Sequence, residues 1–340
     1  MSKSITTEIL PQKLPEHPAV KAWSQLQPER IEPENIEILK LKRKSAVYRL
    51  SGLAPDGSAV IAKRCVAETG RIELTIHKEF LARLPAPALA CYGFVEEPNE
   101  EFCWLFLEEA IGQEYSPHNA EHRALAGRWL GTMHHAAVNS GLESRLPGRQ
   151  PGHYHKLLQT SRGTIRQHLD NPALPSSDLK ILEAVATHCD VLESHWSELE
   201  QMCEGLPRTL VHGDFVSKNV RIASTPGGPA LVTFDWEVAS WGLPATDLCQ
   251  FTGGAVSPDL SAYCALLNGA LGRLDLPSVE RLSECGKFFR LLDDISWATL
   301  WLVFDSYLFL EKPMSYLKIY ESRLAGALRL AGWTERPANA

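Results

Sequence analysis

A short apolar run feeds a loop that places a carboxylate and an amide five residues apart, and a second carboxylate follows across a single hairpin. Residues 210–219 read Leu-Val-His-Gly-Asp-Phe-Val-Ser-Lys-Asn. Strands are then expected at 219–223 and 230–234, around the turn Pro226-Gly227-Gly228-Pro229. The second strand ends in Phe234-Asp235-Trp236-Glu237, with Asp235 sixteen residues beyond Asn219. Few folds place loop, hairpin and acid in that order.

The residue types fit one chemistry. A carboxylate at Asp214 can orient an attacking hydroxyl and accept its proton, while Asn219 offers a hard oxygen to a magnesium ion on a nucleotide's phosphates. Asp235 would complete the metal site. Magnesium keeps several of its waters, so two protein oxygens plus phosphate oxygens are a sufficient set. Protein kinases use the same D-x-x-x-x-N spacing.

The rest of the chain divides around this passage. A helix is expected at 18–27, then strands at 36–41, 46–53 and 58–63, with Asp56-Gly57 as a turn signal. Ile72, Ile76, Phe80, Leu81 and Leu84 recur at helical spacing and stop at Pro85 and Pro87. Two more strands, 88–96 and 102–108, complete a small lobe, and 109–112 reads as a hinge. Beyond it the pattern is mainly helical, with helices expected at 125–138, 181–203, 278–294 and 296–310. The expected domains are therefore a nucleotide-binding lobe at 1–108 and a helical lobe at 113–340 that carries the catalytic loop, metal site and acceptor site.

Composition excludes several classes. A net charge of −7 and no basic stripe argue against a nucleic-acid partner. The first eighteen residues lack the apolar run of a secretory signal. The longest apolar stretch, 295–304, is too short to span a bilayer and reads as a buried helix, which leaves a cytoplasmic chain with no membrane partner. Eight dispersed cysteines without a C-x-x-C pair give no zinc site or disulfide framework. The pairs His118/His122, His134/His135 and His153/His155 lack a third ligand nearby and read as ordinary histidines.

The passages Val211-His212-Gly213-Asp214 through Asn219, and Asp235-Trp236-Glu237 through Gly242-Leu243-Pro244-Ala245-Thr246-Asp247-Leu248, resemble the aminoglycoside-phosphotransferase and choline-kinase superfamily. That resemblance extends loosely over 36–330. It implies an α+β, protein-kinase-like, two-lobed fold: an N-terminal antiparallel sheet with one inserted helix, and a mainly helical C-terminal lobe. It also implies Asp214 as the base, Asn219 and Asp235 as metal ligands, Asp247 as an anchor of the catalytic loop and His212 as its brace. Lys63, closing Val60-Ile61-Ala62-Lys63, takes the place of the lysine that meets the nucleotide. Its glutamate partner is expected on the next helix, where Glu68, Glu73 and Glu79 compete, with Glu73 chosen and Glu79 as the remaining alternative. The first hairpin lacks G-x-G-x-x-G, and a serine-bearing turn leaves Ser45 as a nucleotide contact.

The implied reaction is phosphorylation of a small-molecule hydroxyl by ATP or GTP with Mg²⁺, with no protein partner. Two rivals stand beside it: a nucleotide-binding pseudokinase scaffold and a sugar kinase of the same superfamily. A protein kinase is excluded, because Gly213 stands where H-R-D has its arginine and neither D-F-G nor A-P-E follows. Residues 113–340 carry 25 acidic against 20 basic side chains, a small bias toward an amine-bearing acceptor such as an aminoglycoside or amino-alcohol. Glu237 is one acceptor candidate. Asp293, Trp297 and Trp301, spaced by four, form another: a stripe of acid and indoles suited to an ammonium group, with core packing as its competing reading.

Overall fold

Strand periodicity sets which side chains of the N-terminal region can meet. In a computed structural model of the protein, which describes residues 8–10, 14–29, 32–267 and 274–334, the chain forms two compact units. The first comprises Met1–Tyr115 and Ser217–Ala239, and the second Ser116–Val216 and Ser240–Ala340.

In the first unit, β1 (Glu8–Leu10), β2 (Ile36–Lys42), β3 (Ser45–Leu50), β4 (Val60–Val66), β5 (Cys91–Glu96) and β6 (Phe102–Glu108) make an antiparallel sheet in the order β1-β2-β3-β4-β6-β5. Alternate residues of β4 face opposite sides. Val60 and Ala62 join Trp104 and Phe106 in a buried cluster under helix α1 (Pro18–Leu26), where Trp23 meets the Phe106 ring edge-on at 5.2 Å. Lys63 and Cys65 face the other side.

That side is covered by helix α2 (Ala67–Thr75), and glycine permits the approach. A Cβ added to Gly70 would lie 2.1 Å from Cys103 Sγ on β6, so the helix seats directly on the strand. One turn later it presents Glu73, fully buried, toward β4. The helix continues through a wide π-helical turn at Ile76–Phe80 and a 3₁₀ turn at Leu81–Arg83, and ends before Pro85.

The hairpin that follows the Asp214 loop belongs to this unit. Strands β10 (Val220–Thr225) and β11 (Gly228–Thr233) pair antiparallel, and β7 (Gln113–Glu114) extends them into a three-stranded sheet. Residues 217–239 thus group with the N-terminal unit, whereas a boundary at 109–112 assigns them to the helical lobe. Backbone pairing to β7 is the physical reason.

In the second unit, β8 (Gly148–Arg149), β12 (Ser240–Gly242) and β9 (Thr209–Val211) form a small sheet in the order β8-β12-β9. The helices are α3 (Ala120–Ala137), α4 (Pro151–Gln167), α5 (Ser176–Ser194), α6 (Trp196–Cys203), α7 (Ala245–Leu248), α8 (Leu260–Cys264), α9 (Leu276–Thr299) and α10 (Tyr307–Leu330). Asn119 caps α3 by accepting from the Glu121 amide at 2.9 Å, and Asp275 caps α9 by accepting from the Ser278 amide at 3.0 Å. At the centre α9 packs on α7, where a Cβ on Gly286 would fall 1.8 Å from the Ala245 carbonyl oxygen. Among the described residues no helix is long and apolar enough to cross a membrane.

Three helical expectations change. The run 181–203 is two helices, broken at His195. The helix expected at 296–310 does not exist as such: α9 runs through Asp293 and Asp294 to Thr299, residues 300–306 leave the helix, and α10 begins at Tyr307. Pro313 lies inside the second turn of α10, where its missing N–H removes only one bond. Nor is 295–304 a buried helix. Ile295 and Leu302 are buried, but Trp297, Leu300, Trp301, Val303 and Phe304 are exposed, so the indoles do not pack the core.

Candidate active site

Lys63 lies in the middle of the six-stranded sheet, paired with Val47 on β3 and Leu105 on β6. Its ammonium is 2.8 Å from Glu73 Oε2 and 3.4 Å from Glu237 Oε2, and it also binds Asp235 Oδ1 directly. Of the candidates Glu68, Glu73 and Glu79, Glu73 is the one found against the lysine. Burial alone would depress the Lys63 ammonium, but the carboxylates of Glu73, Asp235 and Glu237 outweigh it and hold the pKa well above its ordinary value. The lysine is a permanent cation here. Glu73 is braced in turn by the Trp236 amide, whose N–H reaches its Oε1 at 3.3 Å.

Asn219 and Asp235 stand at one end of the β10–β11 hairpin. Val220 pairs with Thr233, and the Phe234 N–H donates to the Asn219 carbonyl at 3.1 Å. Asp235 then turns in the left-handed region, with φ of 66°, a conformation that aspartate tolerates better than bulkier residues. An amide and a carboxylate brought together this way are hard oxygen donors, and they fit a magnesium ion that draws its remaining ligands from phosphates and water. Among the described residues no group of three or more His, Cys, Asp or Glu side chains could hold a metal by itself. Ser45 is half-buried at the start of β3, opposite Lys42 at the tip of the hairpin.

The second unit holds Asp214. Buried Asp247 of α7 fixes its loop, accepting from the His212 amide at 2.7 Å and the Gly213 amide at 3.1 Å. Gly213 has φ of 80°, which suits a residue without Cβ. Beyond Asp214 the Phe215 ring stacks on Trp129 at 5.8 Å, its carbonyl accepts from the Val256 amide at 3.2 Å, and Val216 bridges Ala255. The Asp214 side chain keeps partial exposure, and its Oδ1 accepts from Arg290 Nη2 at 3.2 Å. The two ends of the D-x-x-x-x-N motif thus belong to different units.

Replacing Asp247 with alanine strips two buried amides of a charged acceptor. Unfolding in denaturant is expected to show a loss of about 3 kcal/mol. Asp247→Asn, with one carbonyl oxygen left, recovers part of it; a loss under about 0.5 kcal/mol in the alanine variant contradicts the anchor role.

The acceptor candidates divide. Glu237 sits with Lys63 in the first unit, whereas Asp293, Trp297 and Trp301 lie on and just beyond α9 in the second. Asp293 is not a free anion: Arg149 of β8 donates to it at 3.1 Å. Arg290, Arg149 and Asp294 were not singled out from sequence. Arg290 carries a signal nonetheless, as the lone cation in the apolar run Phe288-Phe289-Arg290-Leu291-Leu292. It is buried, and a buried arginine needs an anion.

An N-terminal antiparallel sheet with an inserted helix, a mainly helical C-terminal part, a buried lysine–glutamate pair and an anchored aspartate define a kinase-like phosphotransferase acting on hydroxyl groups. The profile of the phosphotransferase enzyme family (APH) matches residues 64–275, more than half of the chain, and the protein belongs to that family. A comparison with curated proteins returns no match. Solved structures share the fold at low identity. A mutant aminoglycoside 2'-phosphotransferase-IIIa in complex with GDP superposes with a TM-score of 0.61 at 13% identity, covering 90% of this chain and 97% of that one. Spectinomycin phosphotransferase APH(9)-Ia, in complex with ADP and spectinomycin, gives 0.60 at 10% identity over 90% and 98%. Choline kinase from Cryptosporidium parvum gives 0.56 at 13% identity over 93% and 95%.

Proposed function

We propose that the protein transfers the γ-phosphoryl group of ATP or GTP to a hydroxyl of a small molecule in the cytoplasm. The observation that carries this reading is the buried Lys63 held by Glu73 and Asp235, the arrangement that positions a nucleotide's phosphates. Asn219 and Asp235 would hold Mg²⁺, which neutralises charge on the phosphates when bound. Asp214 accepts the acceptor's hydroxyl proton as its oxygen forms the new bond to the γ-phosphorus. The bond from that phosphorus to the β-phosphate's bridging oxygen breaks, and the nucleoside diphosphate leaves. Ser45 is the further nucleotide contact proposed. Eight free thiols, six of them buried, support a reducing compartment.

A scaffold that only binds nucleotide has no need of both an anchored Asp214 and an intact Lys63–Glu73 pair. The test is incubation of the protein with magnesium and ATP or GTP against aminoglycosides, amino-alcohols, sugars and uncharged alcohols, with products weighed by mass spectrometry. A product heavier by one phosphoryl group, absent when Asp214 is Asn, is expected. Nucleotide binding without any phosphorylated product would favour the scaffold.

A further inference from the structure

The α2 side of the six-stranded sheet carries two sulfurs close to Lys63. Cys65 on β4 and Cys103 on β6 stand directly opposite each other in the antiparallel ladder, and their Sγ atoms lie 3.7 Å apart. Both are buried, in a small cluster with Ala67 against which Phe94 packs. Opposed residues on antiparallel strands have Cα atoms about 4.5–5.5 Å apart, inside the range of about 4.4–6.8 Å that a disulfide spans. A bond between these sulfurs therefore needs side-chain rotation and no rearrangement of the strands.

The pair is also placed to react. The hydrogen bond between the two thiols, aided by the Lys63 ammonium, holds the Cys65 thiol below its ordinary pKa against the cost of burial. Its cover is a weak helix. α2 has nine residues, no side-chain cap at Val66, and a glycine at its fourth position, where helix propensity falls about 1 kcal/mol below that of alanine. Local opening of such a helix admits a small oxidant to sulfurs that are otherwise covered.

The nucleotide end of the sheet would feel the bond close. Gly70 rests on Cys103 Sγ, so drawing the sulfurs from 3.7 Å to a bond length of about 2.0 Å moves the seat of α2. Glu73 lies three residues further along the same helix face, with its carboxylate held 2.8 Å from the Lys63 ammonium.

We propose that Cys65 and Cys103 form a redox modification site, which hydrogen peroxide converts to a cross-strand disulfide, and that the disulfide weakens nucleotide binding by displacing Glu73 from Lys63. In the first step the Cys65 thiolate attacks a peroxide oxygen and the O–O bond breaks, leaving a sulfenic acid and a hydroxide that takes up the proton Cys65 released. In the second the Cys103 sulfur attacks that of Cys65, the S–O bond breaks, and a second water leaves with the Cys103 proton. The thiol pair gives up two electrons and the peroxide gains them. The effect on nucleotide rests on the phosphotransferase reading above; the disulfide itself does not.

Protein treated with hydrogen peroxide is blocked with N-ethylmaleimide, digested and mapped by mass, and the dissociation constant for ATP or GTP with magnesium is taken before treatment, after it, and after dithiothreitol. The expected product is a cross-linked peptide joining Cys65 to Cys103, with nucleotide affinity lowered by about fivefold or more and restored by dithiothreitol. Cys103→Ala should keep its affinity through the same treatment. Cys65→Ser supplies that comparison if the alanine variant does not fold. Cross-linking without loss of affinity, an equal loss in variant and parent, or oxidation confined to Cys203 and Cys285, a second hydrogen-bonded thiol pair, overturns the proposal. A Cys65–Cys103 cross-link in a protein that binds no nucleotide even when reduced upholds the redox site and defeats the phosphotransferase reading.

Discussion

Asp214→Asn is expected to lower phosphoryl transfer by on the order of 10³-fold while the affinity for magnesium and nucleotide stays near that of the parent. The substitution keeps the shape of the side chain. Its remaining carbonyl oxygen can still accept from Arg290, and Asp247 still pins the loop through the His212 and Gly213 amides. With Asp214 as the proposed base, what it would lose is a site for the acceptor's proton. Arg290 loses a paired charge as well but retains Asp294 as an electrostatic neighbour, so the variant should fold. A single-turnover assay with saturating nucleotide separates the chemical step from binding. Transfer within about threefold of the parent would remove Asp214 from the role of base.

Lys63→Met should act earlier in the reaction and lower both transfer and nucleotide affinity. Losing a charge-bearing donor to transferring phosphates typically costs on the order of 10²–10³-fold in rate. The variant also leaves Glu73, fully buried, and Asp235 without their cation. An unpaired buried carboxylate costs about 3–5 kcal/mol, which endangers the sheet itself. The double variant Lys63→Met with Glu73→Gln removes charge from both sides and should be more stable than Lys63→Met alone. Its transfer should remain as poor. If the double variant were the less stable of the two, the pair would not be coupled as described.

How far these residues could be read from sequence depends on what each signal encodes. Lys63 sits on the α2 side of β4 because side chains alternate along a strand, and the spacing to Glu73 lets one turn of α2 reach it. These are local facts. The seating of α2 on Cys103 through Gly70 is tertiary, and no spacing rule announces it. The motif around Asp214 and Asn219 was visible as chemistry, but its division between two units follows from β7 pairing with β10, more than a hundred residues away in sequence. The stripe on α9 shows the limit from the other side. Periodicity placed Trp297 and Trp301 together and could not tell exposed rings from packed ones. The expected end at Asp294 falls short of the helix, which continues to Thr299 with Asp293 held by Arg149.

One measurement directly reaches the proposed division of labour, in which Lys63, Asn219 and Asp235 hold the nucleotide's phosphates and Asp214 takes the acceptor's proton. It is the dissociation constant for nucleotide with magnesium, taken calorimetrically for the parent, Asp214→Asn and the Lys63→Met, Glu73→Gln double variant, each checked for folding by its denaturant midpoint. The parent and Asp214→Asn are expected to agree within about twofold, and the double variant to bind at least about tenfold more weakly. Equal weakening in the two variants, or parental affinity in the double variant, would contradict that division.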